Sequence, residues 1–504
     1  MNDLEAEGSN QSDLFSLSRS EVRRRSLAGV FYLTASSFAN LLLGFFTSLA
    51  LARMLTPSDF GVVAIGSTAI VIAGVLADGG LGAGMVRRPE PPTRSELRTL
   101  NGIQLALTLA VCLPAVVVAF GFGRTGAVTA IMIVSLPITL LQTPGRIMLA
   151  RDMRYDRQIV VDFGAQASFQ IFSVVAVFLG AGVWGLATGS IVRAVVGTVL
   201  TAALSIGLQA PSLRGWRGYK GLIRFGLTFQ ASWFTFVARE QCLNIVVGVI
   251  AGVASLGIWT FTNRIFQLPS LAFSSLFVVG FPAMSNLLAR GEDVAPVILR
   301  TVRRAAIAAT FVFPTFAAAS PQLIPALFGE QWKDAADILP FICISTLILG
   351  SISVASASYL NAAGRPGVVA WASAALGVIW IGVTIPLLAV IGVTAIGVGN
   401  LAGALVEALI LSVATRRAAE VAPYRPLLRP LAVALVAGGA GWLLCTSGPS
   451  GLSIAFAAAA LTLALSFVGL WLVCREDLKD TIRLAGGTIY SAFPRLPRTS
   501  AEGA

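Results

Sequence analysis

Leu51-Ala-Arg-Met-Leu-Thr-Pro-Ser-Asp-Phe-Gly-Val-Val63 is a short polar break between two long apolar runs. It reads as a tight turn that leads into a new helix. The only basic residue in this break is Arg53, whereas the next break downstream carries Arg87, Arg88, Arg94 and Arg98. That contrast recurs along the whole chain and decides its class. About 20 apolar residues in an α-helix cross about 30 Å of hydrocarbon. Fourteen such runs are predicted, at 27–51, 60–84, 101–122, 127–149, 159–180, 183–206, 225–250, 256–288, 305–327, 338–360, 369–390, 394–415, 428–446 and 452–474.

The basic residues alternate between the two sides of these runs. One side holds Arg19 and Arg23 to Arg25, then Arg87, Arg88, Arg94 and Arg98, then Arg151, Arg154 and Arg157. It continues with Arg214, Arg217, Lys220 and Arg224, then Arg290, Arg300, Arg303 and Arg304, then Arg365. It ends with Arg416, Arg417, Arg425 and Arg429, and with Arg475, Lys479, Arg483, Arg495 and Arg498. The other side holds only Arg53, Arg124 and Lys333. The positive-inside rule places both termini in the cytoplasm. A missed or invented helix would invert the alternation downstream of it, and no inversion occurs.

Composition agrees, with 56% hydrophobic residues, 12% charged residues and a mean hydropathy of +0.82. A soluble domain carries about 25% charged residues. The net charge of +12 sits in short loops beside apolar runs, which reads as topology and contact with anionic lipid rather than nucleic-acid binding. The five cysteines are scattered and show no metal-ligand or disulfide spacing. The chain has no histidine, which excludes His-based catalysis and His-ligated metal sites. None of its lysines lies in a phosphate-binding glycine loop. No metal, cofactor or nucleotide is therefore expected, and any driving force comes from neighbours or from an ion gradient.

Two pairs of segments repeat. Residues 51–63 align without gaps over 247–259, with Phe60-Gly61-Val62 over Leu256-Gly257-Ile258. Gly182-Val-Trp-Gly-Leu-Ala187 aligns more weakly with Gly392-Val-Thr-Ala-Ile-Gly397. Each pair lies six spans apart, which predicts two parallel six-helix repeats with a pseudo-two-fold along the membrane normal. The expected fold is an all-α integral membrane protein of 14 transmembrane helices, in two lobes plus two C-terminal helices. Its parts are a disordered tail at 1–26, an N-lobe at 27–206, a linker at 207–224, a C-lobe at 225–415, helices 13 and 14 at 416–474 and a tail at 475–504. The pairs Gly185/Gly189 and Gly399/Gly403 read as close helix contacts rather than ligand sites. Prolines inside spans, among them Pro137 and Pro144, are expected to bend helices, and span 8 with Pro269 and Pro282 is the foremost candidate for a bent, mobile helix.

Several ionisable residues fall within spans. Arg193 lies about 15 Å and Arg264 about 12 Å from the outer end of their helices. Arg239 and Glu240 lie in the middle of span 7 and Glu407 in the middle of span 12, while Asp78, Asp162 and Arg146 lie nearer the cytoplasm. A charge at the helix centre costs at least about 2.5–3.5 kcal/mol. Arg193, Arg239 and Arg264 are therefore expected to line a wet cavity for an anionic substrate, or to be structural, with Arg239 or Arg264 pairing with Glu240 or Glu407. The arginine fork suits phosphate through bidentate hydrogen bonds. Glu240, then Glu407, are the candidate carriers of a coupling H+ or Na+; Asp78 and Arg146 are secondary candidates.

Five segments carry a family resemblance: Leu51 to Gly61, Asp78-Gly-Gly-Leu-Gly82, Ala150-Arg-Asp-Met-Arg-Tyr155, Asn263-Arg-Ile-Phe-Gln-Leu-Pro269 and Tyr359-Leu-Asn-Ala-Ala-Gly-Arg365. Over roughly residues 20–480 the chain resembles the polysaccharide transporter branch of the multidrug/oligosaccharidyl-lipid/polysaccharide exporter superfamily. These are lipid-linked oligosaccharide flippases of the Wzx type, with the WzxC-like subgroup the nearest match. The resemblance implies two six-helix lobes around a central cationic cavity and alternating access. It implies a non-enzymatic bacterial inner-membrane flippase that moves undecaprenyl-pyrophosphate-linked sugars for exopolysaccharide, capsule or O-antigen synthesis. Polysaccharide polymerase and export proteins are the implied partners, beside membrane lipids. Of the three arginines, Arg264 alone falls in one of the resembling motifs.

Two rivals share the superfamily. A flippase for the peptidoglycan precursor would also favour arginines around a pyrophosphate, whereas a multidrug exporter of cations would favour an acidic cavity. A membrane glycosyltransferase would need a large outer loop, and the longest here runs only from about Phe328 to Asp337. The charge alternation predicts that cysteines placed at Ser58 or Gly329 react with an impermeant thiol reagent added from outside, while those at Thr93 or Gly291 do not. The reverse labelling would overturn the topology.

Overall fold

A computed structural model describes residues 19–87, 90–214, 220–448 and 451–481, and all regular structure among them is helical. The chain divides into two compact units, Met1–Ile265 and Phe266–Ala504. The first contains α1 (Arg19–Met54), α2 (Pro57–Asp78), α3 (Leu81–Arg87), α4 (Arg94–Phe120), α5 (Gly123–Leu140), α6 (Thr143–Arg151), α7 (Tyr155–Ala176), α8 (Val183–Leu204), α9 (Lys220–Ile250) and the start of α10 (Gly252–Ala289). The second takes the rest of α10 and α11 (Ala295–Phe328), α12 (Lys333–Ala362), α13 (Pro366–Ile391), α14 (Thr394–Ala419), α15 (Arg425–Ser447) and α16 (Leu452–Val473). Twelve stretches among the described residues are long and apolar enough to cross a membrane. α9 and α10 are also long, at 31 and 38 residues.

Local chemistry sets the helix ends. At the start of α2, the Thr56 side chain accepts from the Asp59 N–H and the Asp59 carboxylate accepts from the Thr56 N–H, with Pro57 in the first turn. Thr93 and Glu96 form the same reciprocal cap on α4. Each cap satisfies donors that the first helical turn leaves without partners. The turn between α7 and α8 is a π-helical bulge at Val177–Ala181, in which Gly180 has a φ of 89°, followed by Gly182 with a φ of 55°. Only glycine adopts such angles without cost.

Several features depart from the sequence reading. The first helix starts at Arg19, inside the expected tail 1–26. Residues 1–18 and 482–504 of the expected tails lie outside the described residues. The run expected as one helix at 127–149 is split into α5 and α6, since the Pro144 ring conflicts with the carbonyl four residues back, at the last residue of α5. α9 starts at Lys220, inside the expected linker 207–224, and α10 runs as one helical segment through Pro269 and Pro282, the prolines at which a bend is expected.

The first unit is built on α2. One apolar cluster joins Val62 to Val128, Met132, Val183 and Ala187, and another joins Ala73 to Cys112, Ile133 and Leu136. α9 and α10 lie against the same helix through glycine. A methyl group on Gly61 would run into the Val253 carbonyl, and one on Gly257 into the Pro57 carbonyl. Near the other end, methyl groups on Gly80 and Gly226 would each strike the opposite backbone. Backbones this close leave no room for any other residue.

The two G-x-x-x-G pairs do what close packing requires. Gly185 and Gly189 on α8 face Ala176 and Ser173 of α7, and Gly399 and Gly403 on α14 face Trp380 and Leu376 of α13. Large apolar side chains instead point outward, among them Val117, Leu179 and Val249 in the first unit and Trp371, Val390 and Leu472 in the second. In water such surfaces would drive aggregation; in hydrocarbon they are the lipid face. Gly403→Leu is expected to lower the stability of the purified protein by about 1–3 kcal/mol, because the side chain meets the Leu376 carbonyl. Gly382→Leu, which meets nothing within 4 Å, should leave the thermal midpoint unchanged.

Candidate functional site

The arginines and carboxylates singled out by sequence fall into separate groups. Arg239 and Glu240 on α9 form an ion pair, Nη2 to Oε1, at 3.2 Å. Their side chains are 24% and 37% exposed, so the pair is only partly shielded. Five residues further along α9, about 7.5 Å up the axis, the Asn244 amide donates to the Thr68 hydroxyl of α2 at 3.3 Å. Asn244 also accepts from the indole N–H of Trp259 on α10 at 3.1 Å. Gln230, lower on α9, donates to the Val75 carbonyl of α2 at 2.8 Å. A polar seam therefore joins α2, α9 and α10.

Arg264 lies five residues below Trp259 on α10, within a helix whose neighbouring residues Phe261 and Ile265 are 0% and 2% exposed. It is half-buried, and among the described residues its side chain makes neither an ion pair nor a hydrogen bond. A guanidinium at this depth keeps its five donors and its charge, so it must be met by water or by an anion.

A second group is carried by α6, α7 and α8. The Arg146 guanidinium donates to the Asp162 carboxylate at 2.7 Å and to the Gln142 side-chain oxygen at 3.1 Å. Gln142 in turn donates to the Ala194 carbonyl beside Arg193 at 3.3 Å. Arg193 is exposed, and the charges that act on it are Arg146 and Asp162. The group carries two arginines and one carboxylate, leaving one positive charge in excess.

The remaining candidates have different surroundings. One oxygen of the Asp78 carboxylate accepts from the Gly80 N–H at 3.2 Å and the other from the Gln104 amide at 3.1 Å. Those bonds tie the end of α2 to α4. Glu407 belongs to the second unit, on α14, where it is buried. The partner that Arg239 shows is Glu240, one of the two carboxylates the sequence allowed. Sequence reasoning overlooked Gln230, Asn244 and Trp259. The available signal was an amide and an indole inside otherwise apolar spans, where every polar group needs a partner.

Residues 50–337 match the family described as "Polysaccharide biosynthesis protein". The chain belongs to this family. A succinoglycan biosynthesis transport protein, ExoT, of Rhizobium meliloti strain 1021 is 25% identical over 381 residues, covering 73% of each chain. The lipopolysaccharide biosynthesis protein WzxC of Escherichia coli K12 is 20% identical over 357 residues, covering 67% of this chain and 71% of WzxC. Among solved structures, the lipid II flippase MurJ in an inward closed conformation superposes with a TM-score of 0.66 at 11% identity. That superposition covers 89% of this chain and 99% of MurJ. The fold is thus MurJ-like, and the chain is a multi-pass membrane protein of a polysaccharide biosynthesis family.

The seam makes a specific prediction. Asn244→Leu removes the bonds to Thr68 and Trp259 at nearly constant volume and should destabilise the protein by about 1–3 kcal/mol. Trp259→Phe combined with Asn244→Leu should cost less than the sum of the two single changes. Strict additivity in thermal unfolding would show that the Asn244 to Trp259 bond carries no coupling.

Proposed function

We propose that this protein is a flippase that carries an undecaprenyl-pyrophosphate-linked oligosaccharide from the cytoplasmic to the outer leaflet of the bacterial inner membrane. The observation that carries this reading is Arg264, a guanidinium deep in α10 with no anionic partner among the described residues. A pyrophosphate supplies what this group lacks, since each phosphate accepts a fork of two N–H bonds. Arg239 contributes a second guanidinium on the neighbouring helix, restrained by Glu240. Arg193, with Arg146, adds the third cationic position of the reading.

Adding α9 and α10 to the twelve apolar stretches makes fourteen spans, in two six-helix repeats with α15 and α16 appended. The contact of Gly61 with Val253 and of Gly257 with Pro57 supports the repeats, because each residue meets the repeat equivalent of the other's partner. In alternating access this contact holds α2 against α10 at the outer end and separates when the substrate leaves. Both termini lie in the cytoplasm on the charge rule. The names of the curated relatives favour a polysaccharide pathway, with its polymerase as consumer of the product. The likeness to MurJ favours a flippase fold and keeps the peptidoglycan precursor as the second reading.

Arg264→Ala should abolish polymer export in a deletion strain while the membrane level of the protein stays near normal. Arg264→Lys should restore export only in part, since the charge returns without the fork. Normal export by the alanine variant would remove Arg264 from the substrate site. Coupling is tested in vesicles that flip a labelled polyprenyl-pyrophosphate sugar under imposed pH or sodium gradients. Glu240 carries an ion only if its pair with Arg239 opens during the cycle, so Glu240→Gln should erase any gradient dependence. Equal rates and end-points for both forms under every gradient would leave product consumption as the driving force.

A further inference from the structure

The second unit holds a cleft of about 490 Å³ that plays no part in the site above. It is framed by the first turns of α11, the connection between α14 and α15, and the exit of α16, and it is lined by Arg303, Arg425 and Arg429. Two carboxylates, Glu420 and Asp477, share the lining, so the cleft keeps one excess positive charge. Arg303 is already engaged, with one Nη donating to both oxygens of Asp477 at 2.9 and 3.0 Å. Arg425 and Arg429 stand one turn apart on α15 and make no ion pair among the described residues. Like charges at this spacing repel each other, and an anion between them relieves that repulsion.

The surroundings indicate where the anion comes from. Beneath the cleft, Cys474 packs with Ile307, Leu470 and Leu478 in an apolar cluster. Beside it, Trp471 carries Arg475 over its ring at 4.8 Å and Lys479 at 5.5 Å, while Leu428 and Leu472 point outward. An indole flanked by cations at a helix exit marks the level of the lipid headgroups. Arginines at that level, above apolar side chains, match a phosphate with acyl chains attached.

We propose that this cleft binds the phosphate of an anionic membrane lipid, with Arg425 and Arg429 as its ligands and Arg303 as a third that Asp477 restrains. The leaflet is the cytoplasmic one if the topology proposed above holds; the binding itself does not depend on that reading. Basic pockets between helices recognise phosphate headgroups through the same charge-assisted bonds.

The test uses the purified full chain in neutral detergent. Short-chain phosphatidylglycerol is titrated against phosphatidylcholine as the lipid probes, and glycerol 3-phosphate and inorganic phosphate as the soluble ones. Wild type should bind phosphatidylglycerol at least tenfold more tightly than phosphatidylcholine. Arg425→Gln/Arg429→Gln should lose about tenfold in affinity. The charge-matched Arg98→Gln/Arg214→Gln, which removes two exposed arginines of the first unit, should bind as wild type does. Asp477→Asn releases Arg303 and should bind severalfold more tightly, a gain that a misfolded variant would not give. Displacement of the lipid by glycerol 3-phosphate at equal affinity would keep the phosphate site and assign it to a soluble ester. Equal losses in the two double variants, or no preference over phosphatidylcholine, would overturn the proposal. None of these outcomes depends on transport, so failure here leaves the flippase reading standing.

Discussion

Everything near the candidate site hangs on how closely α9 and α10 approach α2. Glycines at both ends of α2 let backbones meet where any side chain would keep them apart. Between those contacts, Gln230 and Asn244 donate across the same interface to Val75 and Thr68. In hydrocarbon there is no hydrophobic force to press one helix on another, so packing and hydrogen bonds must do it. The same contacts fix the height and rotation of α9 and α10, and with them the positions of Arg239, Glu240 and Arg264. A side chain at Gly61 or Gly257 would therefore alter the site from a distance, by tilting the helices that carry it.

The three deep arginines are not equivalent once their partners are known. Arg239 has a carboxylate beside it, and Arg193 shares the field of Arg146 and Asp162. The Arg146 and Asp162 side chains are 43% and 47% exposed, so that pair stands in an open, wet setting. Pairs so exposed are worth little to stability, at most about 1 kcal/mol, and their value lies in placing charge. Neither Arg264 nor Arg193 makes an ion pair or a side-chain hydrogen bond among the described residues, but Arg193 is exposed whereas Arg264 is half-buried in an otherwise tightly packed helix. The proposed anion site rests on the unmatched Arg264 guanidinium, with Arg239 and Arg193 in separate groups of their own.

The second unit handles its charges differently. Glu407 is buried on α14, whereas the basic residues collect where α11 and α15 begin and α16 ends. Three helix ends meeting at headgroup depth form a pocket that no single connection would form. In the sequence its arginines are read as topology signals. Their convergence on one cleft adds a chemical role to that topological one.

The sequence by itself determined the all-helical membrane class, most of the long apolar helices and the two G-x-x-x-G contacts, because apolar length and small residues act locally or along one helix. It also picked out Arg264 and the Arg239 to Glu240 pair, since depth follows from counting residues along a helix. At Pro144 the sequence pointed to a disturbance of the helix, and the structure shows it as a full break between Leu140 and Thr143. Tertiary structure alone joined Asn244 to Thr68 and Trp259, residues brought together by helix rotation, which a period of 3.6 leaves free until the neighbours pack. And it alone turned Gly61 and Gly257 from an alignment into a contact, since sequence likeness states that two segments are equivalent but not that they touch.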